Sequence, residues 1–504
     1  MNIEGAVEKD VAEVHAPRGQ IGSLVRHSAM YAVARIALSA MDLIFLPLYT
    51  RVLTPAEYGL VAVGTSVLAV FSILYAFGFD GALMRLYFTV PQESGERGYV
   101  VGGILVGILA AGLAASTALV AMGPARFGDL LQGVTPRFFA LLAFSALFNL
   151  LPLLWLQVTQ LRQRPTIYFA TSVAYALVRS VCIVVAVVLL HRGADGWAEA
   201  YLATTLIASV AAAVLMRSYV RFGRTASVLR DALPFSLPIL AHQSASWLAV
   251  SAGRLLLNAL VPLAAVGIYQ VAFGIGQVVG LITTAVNFAY APAFMAAAAR
   301  SPVEAGARFG RFATIYLSTL FLIAVLVALF RDPIVRLAAA SRYAAAAPIL
   351  PIILATFVAQ GVYFVLVNPI FFHRTSVRIL PLLTVGAAVI GLVGLRVLVP
   401  RIGIAGAAWA ALASNVMLVL AAYPLSQRSL RMVYDHRGLG LAAGAGVGVV
   451  LASYLLVPHF GSPLEAFLLN LAFAFAYAGL IATVIGITAS RVRTLLATLC
   501  ATES

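Results

Sequence analysis

The feature that most constrains this chain is a succession of fourteen apolar runs, each about 20 residues long. A run of that length crosses the hydrocarbon core of a bilayer as an α-helix, which satisfies its own backbone hydrogen bonds. The runs lie near residues 28–50, 58–80, 99–121, 138–158, 167–190, 196–216, 233–259, 264–292, 311–330, 346–372, 379–398, 403–425, 438–457 and 465–487. The sequence therefore predicts an all-α polytopic membrane protein with about fourteen transmembrane helices.

The composition supports this prediction and excludes several kinds of chemistry. Of 504 residues, 62% are hydrophobic and only 10% are charged, too few charges for the surface of a soluble protein. Lys9 is the only lysine, which excludes a Walker-type phosphate loop. Cys182, Cys500 and the seven histidines show neither a disulfide framework nor metal-ligand spacing. We expect no metal, no cofactor and no cleaved signal peptide.

The distribution of basic residues predicts the orientation. With the N-terminus inside, the inside segments hold 21 lysines and arginines and the outside loops hold 8. This bias predicts that both termini are cytoplasmic. The richest inside loop, with four arginines between residues 217 and 230, is also the natural boundary between two halves.

Sequence anchors recur between the halves at a nearly constant spacing. Pro55 and Gly59 after the first span correspond to Pro262 and Gly267 after the seventh. Gly196, between the fifth and sixth spans, corresponds to Gly406. The pattern predicts two six-helix pseudo-repeats related by an axis along the membrane normal. The expected organisation is a tail (1–27), an N-terminal lobe (28–230), a C-terminal lobe (231–428) and two extra helices with a tail (429–504).

Three motifs carry a resemblance to a known family. Residues 46–60 read LPLYTRVLTPAEYGL, residues 233–238 read LPFSLP and are followed by VGIY at 266–269, and residues 403–408 read GIAGAA. In this order they resemble the polysaccharide flippases (O-antigen or exopolysaccharide repeat units) of the multidrug/oligosaccharidyl-lipid/polysaccharide exporter superfamily. The resemblance implies two six-helix bundles around a central cavity, plus two C-terminal helices.

The same resemblance implies a function. Such proteins move polyprenyl-diphosphate-linked oligosaccharides from the inner to the outer leaflet of the bacterial plasma membrane by alternating access, without enzymatic chemistry. It also implies assembly with a polysaccharide polymerase and a chain-length regulator. Relatives often carry an acidic residue just before the arginine of the seventh span, where this chain has Gly253 before Arg254. An ion pair at that place is therefore not expected here.

Charged residues inside the spans are the candidate site, because each needs water or a partner there. Arg35 and Asp42 are seven residues apart on one face of the first helix, and Arg179 lies in the fifth span. Arg35, Arg254 and Arg179 are predicted to form a cationic cavity wall for the diphosphate. The alternative is that each pairs with a neighbouring helix or a lipid headgroup. Asp42 either carries a coupling proton or sodium ion or balances an arginine.

Uncharged polar residues complete the predicted cavity. In the seventh span they share an arc of about 80° with Arg254, and these residues are Gln243, Ser251 and Asn258. Asn149 in the fourth span offers a further polar group. Such side chains bind sugar hydroxyls or hydrogen-bond helix to helix, and both interpretations are open.

Three other functions compete with the flippase. A multidrug/cation antiporter favours acidic cavity residues, whereas arginines outnumber deep carboxylates here. A lipid II flippase is a closer rival, because its cargo is also a polyprenyl diphosphate. A membrane glycan polymerase or glycosyltransferase needs acidic residues in sizeable outer loops, which the chain does not offer.

Overall fold

A computed structural model of the chain describes Met41 and residues 43–90, 95–373, 376–460 and 462–502. Side chains are described in the same ranges apart from 242, 245–252, 377 and 487–502. The regular structure of these ranges is helical throughout. Its α-helices are α1 (Leu46–Val52), α2 (Pro55–Ala76), α3 (Phe79–Thr89), α4 (Arg97–Met122), α5 (Pro136–Leu161), α6 (Pro165–Ile183), α7 (Gly193–Met216), α8 (Thr225–Leu260), α9 (Leu263–Arg300), α10 (Pro302–Leu329), α11 (Arg331–Ala338), α12 (Leu350–Phe372), α13 (Leu380–Ile402), α14 (Ile404–Ser429), α15 (His436–Leu456) and α16 (Pro463–Thr502).

Twelve helical segments of the described ranges are long and apolar enough to cross a membrane. They correspond to the predicted spans 2–6 and 8–14. The seventh predicted span corresponds to α8, whose polar residues keep it out of the twelve although it is helical along its whole length. Of the first span, only Met41 and the residues from 43 onward lie in the described ranges. The prediction of an all-α polytopic membrane protein is confirmed.

The motif at residues 46–60 builds the turn between α1 and α2. Thr54 is the N-cap of α2: its hydroxyl accepts a hydrogen bond from the Glu57 backbone N–H at 3.3 Å, and the Glu57 carboxylate accepts one from the Thr54 N–H at 2.8 Å. This capping box satisfies two backbone donors, and Pro55 adds a fixed φ at the first helical position. The motif therefore specifies where α2 begins.

Two repeat-related glycines bring the halves into backbone contact. A Cβ at Gly59 of α2 would lie 2.0 Å from the carbonyl oxygen of Leu263, and one at Gly267 of α9 would lie 1.9 Å from that of Pro55. The two contacts are equivalent: in each, a glycine of one half lies against the first turn of the corresponding helix in the other half. A twofold pseudo-repeat requires this equivalence. Only glycine allows helices within a membrane to approach so closely.

The helix of the second predicted span is followed at once by a separate helix, which the apolar pattern did not predict. α2 ends at Ala76, Phe77 and Gly78 take left-handed conformations with φ of 51° and 70°, and α3 begins at Phe79. A Cβ at Gly78 would lie 2.1 Å from the backbone oxygen of Ser236 in α8. The break therefore lets the chain pass close to α8 and continue as a separate helix.

α8 lies between the two halves of the chain. On one side it packs against α2, α3 and α4, and on the other against α13. The predicted seventh and eighth spans are separate helices, since α8 ends at Leu260 and α9 begins at Leu263. The last two helices, α15 and α16, pack against α10.

Candidate functional site

The polar stripe predicted on the seventh span lies between the N-terminal half and α9. Three of its side chains are described, and each interacts with a residue of that half. Gln243 interacts with Asp80 of α3, Arg254 with Tyr58 of α2, and Asn258 with the connection between α4 and α5. The stripe therefore lies at the seam between the halves.

Arg254 lies in an aromatic environment at this seam. Its guanidinium carbon is 4.7 Å from the centre of the Phe273 ring on α9, and its electrostatic neighbours are the phenols of Tyr269 and Tyr58. The side chain is partly buried. In the part of the chain that the structure describes, no carboxylate forms an ion pair with it. Cation–π contact occupies the face of the guanidinium and leaves its N–H edge available to an anion.

Gln243 belongs to a polar cluster that the sequence did not predict. Its amide donates to a carboxylate oxygen of Asp80 at 2.7 Å, and the Gln157 amide of α5 donates to the Asp80 backbone oxygen at 2.5 Å. The other Asp80 carboxylate oxygen is buried without a hydrogen-bond partner among the described residues. Asp80 lay at the end of a predicted span. Only the helix break at Phe77 and Gly78 places it in the first turn of α3, against α8.

Asn258 is fully buried and connects the halves at the end predicted to be outer. Its amide donates to the carbonyl oxygens of Leu130 at 3.1 Å and Gln132 at 3.2 Å. These bonds occupy the side-chain N–H groups in this conformation. A role for Asn258 toward a sugar stays a prediction.

A second set of hydrogen bonds connects the halves at the same end. Arg342, between α11 and α12, donates to the carbonyl oxygens of Thr50 at 3.1 Å, Arg51 at 2.8 Å and Leu53 at 2.8 Å. The Tyr343 hydroxyl donates to the Leu53 carbonyl oxygen at 2.9 Å. These bonds satisfy carbonyls at the C-terminal end of α1. We call Arg342 and Tyr343 the latch.

The remaining predicted site residues are distributed as follows. Arg35 and Asp42 lie outside the described residues, and so does the side chain of Ser251 on α8. Arg179 is partly buried on α6, and its side chain interacts with another group. Asn149 on α5 accepts a hydrogen bond from the Tyr175 hydroxyl of α6 at 3.1 Å. Neither of these two is a described neighbour of Arg254, so the structure shows no joint site for them.

An apolar cavity of about 670 Å³ lies in the C-terminal half. Its walls come from α10, α12, α14, α15 and α16, and they include Ala324, Val358, Val416 and Val450. Across the described ranges, no group of three or more metal-ligating side chains comes together.

Solved structures share the fold of this chain. Among solved structures, "Lipid II flippase MurJ, inward closed conformation" aligns with a TM-score of 0.66 at 13% identity, over 90% of this chain and 98% of that one. An inward-facing multidrug resistance MATE family transporter of the MOP superfamily aligns with a TM-score of 0.61 at 14% identity, over 81% and 97%. A MOP superfamily transporter from Pyrococcus furiosus, described as having a binding pocket of reverse polarity, aligns at 0.53 and 14% identity, over 84% and 96%.

Sequence comparison gives the family itself. No curated protein sequence matches the chain. The family described as "Polysaccharide biosynthesis protein" matches residues 24–298, more than half of the chain. The family predicted from the three motifs is confirmed, and the fold is that of the multidrug/oligosaccharidyl-lipid/polysaccharide exporter superfamily. This multi-span membrane protein belongs to the polysaccharide biosynthesis protein family.

Proposed function

We propose that the protein is a flippase that moves polyprenyl-diphosphate-linked oligosaccharide repeat units from the cytoplasmic to the outer leaflet of the bacterial plasma membrane. It works by alternating access and performs no enzymatic step. Its family and its fold support a transporter of this class. The O-antigen or exopolysaccharide nature of the repeat unit belongs to the same proposal.

The observation that supports the proposal most strongly is the environment of Arg254. A guanidinium at the seam between the halves, stacked on Phe273 without a described carboxylate partner, is a site for an anion. The diphosphate of a lipid carrier is such an anion. A cargo of organic cations would instead require a carboxylate at this position.

The apolar cavity beside α15 and α16 supports a lipid-linked cargo. A space of about 670 Å³ with almost purely apolar walls fits a hydrocarbon chain better than a sugar. In this proposal the isoprenoid chain lies there or in the bilayer, while the diphosphate is held at the seam.

The organisation that goes with this function is also a proposal. It comprises the lobes 28–230 and 231–428, the extra helices and tail at 429–504, both termini in the cytoplasm, and assembly with a polymerase and a chain-length regulator. The reciprocal contact of Gly59 and Gly267 supports the two lobes. Arg35, Arg179 and Asp42 keep their predicted roles in the cavity and in ion coupling.

The experiment locates the repeat unit in cells that lack the protein, using a lectin or glycosidase confined to the outer side. We expect intact lipid-linked units to accumulate on the cytoplasmic leaflet. Wild type and the control Arg396→Ala, an exposed arginine on α13, restore outer exposure, whereas Arg254→Ala does not.

Each other outcome changes a specific part of the proposal. If Arg254→Ala restores outer exposure of the repeat unit, the assignment of Arg254 as the binding site is refuted and the flippase function is not. Units that reach the outer face without the protein, yet stay unpolymerised, refute the flippase and favour an enzyme acting after translocation.

Lipid II translocation is the second candidate, because the solved lipid II flippase aligns over 90% of this chain. Complementation of cells depleted of their own lipid II flippase tests it. Growth restored by this chain, with no effect of its deletion on polysaccharide repeat units, would favour this candidate over the first.

A further inference from the structure

A second cationic site lies away from the seam, at the end of the N-terminal half that is predicted to be cytoplasmic. There, three connections enclose a cavity of about 530 Å³. Its walls come from residues 87–88 and 95–98, the α5–α6 turn and the α7–α8 connection, and Val101, Val158 and Leu161 form an apolar floor. We call it the arginine pocket.

The pocket has one sign of charge. Four arginines and two tyrosines line it, and none of its described lining residues is acidic; they are Arg97, Arg162, Arg164, Arg221, Tyr87 and Tyr219. Glu96, next in sequence to Arg97, is paired with Arg224 at 2.8 Å outside the lining. At the opposite end of this half, by contrast, Glu199 neutralises two arginines. Within the described residues, the pocket arginines form no ion pair.

Two of these arginines are held by aromatic rings, and Arg221 is fixed at its backbone. Arg97 also donates from Nε to the Val90 carbonyl oxygen at 3.2 Å. The Arg97 guanidinium carbon is 4.7 Å from the centre of the Tyr87 ring, and that of Arg162 is 4.2 Å from the Tyr219 ring. The Arg221 backbone N–H donates to the Gly98 oxygen at 2.9 Å. Guanidinium groups that are positioned in this way lose little entropy when an anion binds.

The arginine side chain at 221 also depends on two glycines. A Cβ at Gly95 would lie 2.7 Å from its Nη1 atom, and one at Gly98 would lie 3.0 Å from its Cγ atom. The absence of side chains at these positions therefore makes room for Arg221 along the start of α4.

Helix ends add to the positive potential. α4 begins at Arg97 and α6 begins at Pro165, both at the pocket, and neither has a side-chain hydrogen bond at its N-cap. The helix dipole favours an anion at such ends.

We propose that the arginine pocket binds a phosphate group of a phosphoester or diphosphate at the cytoplasmic face. Arginine binds phosphate oxygens in a bidentate geometry. The cavity of about 530 Å³ is large enough for a diphosphate or a phospholipid headgroup. The apolar floor suits a phosphate that carries a hydrocarbon chain. Two sources share this chemistry, a bilayer phospholipid and a diffusible diphosphate. The inference is independent of the cargo that Arg254 holds.

The test uses the full-length protein and inorganic pyrophosphate as the soluble probe, with binding measured by calorimetry. Every variant carries Arg254→Gln, so that the site of the proposed function does not contribute. The pocket variant adds Arg162→Gln and Arg221→Gln. The matched control adds Arg217→Gln and Arg230→Gln, which remove the same charge from exposed positions outside the pocket.

We expect the pocket variant to bind pyrophosphate at least about tenfold more weakly than the control, since each substitution removes charge-assisted hydrogen bonds. The control should stay within about twofold of its parent. A second arm measures retention of phosphatidylglycerol from nanodiscs by native mass spectrometry. Retention that depends on the pocket arginines, without pyrophosphate binding, identifies a phospholipid headgroup.

Equal pyrophosphate binding and equal phosphatidylglycerol retention in the pocket variant and the control would overturn the proposal. Should the double substitution fail to fold, Arg164→Gln replaces it, because that exposed side chain makes no described hydrogen bond or ion pair. The transport assay of Arg254 variants reports separately on the flippase, so the two proposals fail independently.

Discussion

The reciprocal glycine contact between α2 and α9 gives the sharpest prediction. A Cβ at Gly59 lies 2.0 Å from the Leu263 oxygen, while ordinary contacts begin at 3.4 Å. Gly59→Ala therefore forces the two backbones apart by about 1.4 Å, because a carbonyl oxygen of a helix cannot rotate away. Overpacking of this kind costs about 1–3 kcal/mol. The same holds for Gly267→Ala.

This cost falls on the conformation that is closed at the predicted outer end. A shift of about 1–3 kcal/mol changes its equilibrium with the open form about 5- to 150-fold. The assay introduces Leu53→Cys, since Leu53 is 1% exposed beneath the latch, into a chain whose two native cysteines are serine. A membrane-impermeant maleimide then labels the cysteine only when the outer end opens. Thermal unfolding is measured in parallel.

Gly274→Ala is the matched control, on the same helix (α9) as Gly267. Its Cβ would lie 3.6 Å from the Leu46 Cδ2 atom, an ordinary contact. We expect faster labelling and a lower Tm for Gly59→Ala and Gly267→Ala, and neither for Gly274→Ala. Equal labelling rates and equal Tm values in all three variants would refute the close contact.

Three further perturbations test the latch, the seam and the unpredicted carboxylate. Arg342→Ala removes three hydrogen bonds to carbonyls. It should favour opening of the outer end by about 1 kcal/mol after allowance for exposure. The cysteine-labelling assay measures this opening, with the exposed Arg336→Ala as control. Gly253→Asp places a carboxylate beside Arg254, where a Cβ meets only a leucine methyl at 3.7 Å, and should weaken pyrophosphate binding in calorimetry, whereas Gly253→Asn should not. Asp80→Leu leaves the partly buried Gln243 amide without its acceptor and should cost about 1 kcal/mol in thermal unfolding, whereas Asp80→Asn, which keeps an acceptor oxygen, should cost less.

Each of these has an outcome that contradicts it. Labelling of Arg342→Ala at the control rate would mean that the latch does not stabilise the closed outer end. Equal losses of binding in Gly253→Asp and Gly253→Asn would point to volume instead of charge. Equal destabilisation by both Asp80 variants would show that the hydrogen-bond acceptor is not what matters there.

The helical architecture could be predicted because bilayer insertion is decided locally. A run of about 20 apolar residues must be helical in hydrocarbon whatever its neighbours do, and twelve such segments are present in the described ranges. The start of α2 was likewise encoded locally, since the Thr54 cap and Pro55 act through their own backbone geometry. The expectation that the polar residues of α8 share one face of the helix also came from helical periodicity alone.

What the stripe touches was decided only by the tertiary structure. Gln243 contacts Asp80 because two left-handed residues, Phe77 and Gly78, end α2 and start α3 in a new direction, which the hydropathy pattern does not predict. The latch joins Arg342 to carbonyls about 290 residues earlier, and the arginine pocket gathers three connections distant in sequence. Apolar periodicity encodes which residues enter the membrane. It does not encode which charged groups end up paired, because pairing depends on the distances between helices that are set only when the two halves pack.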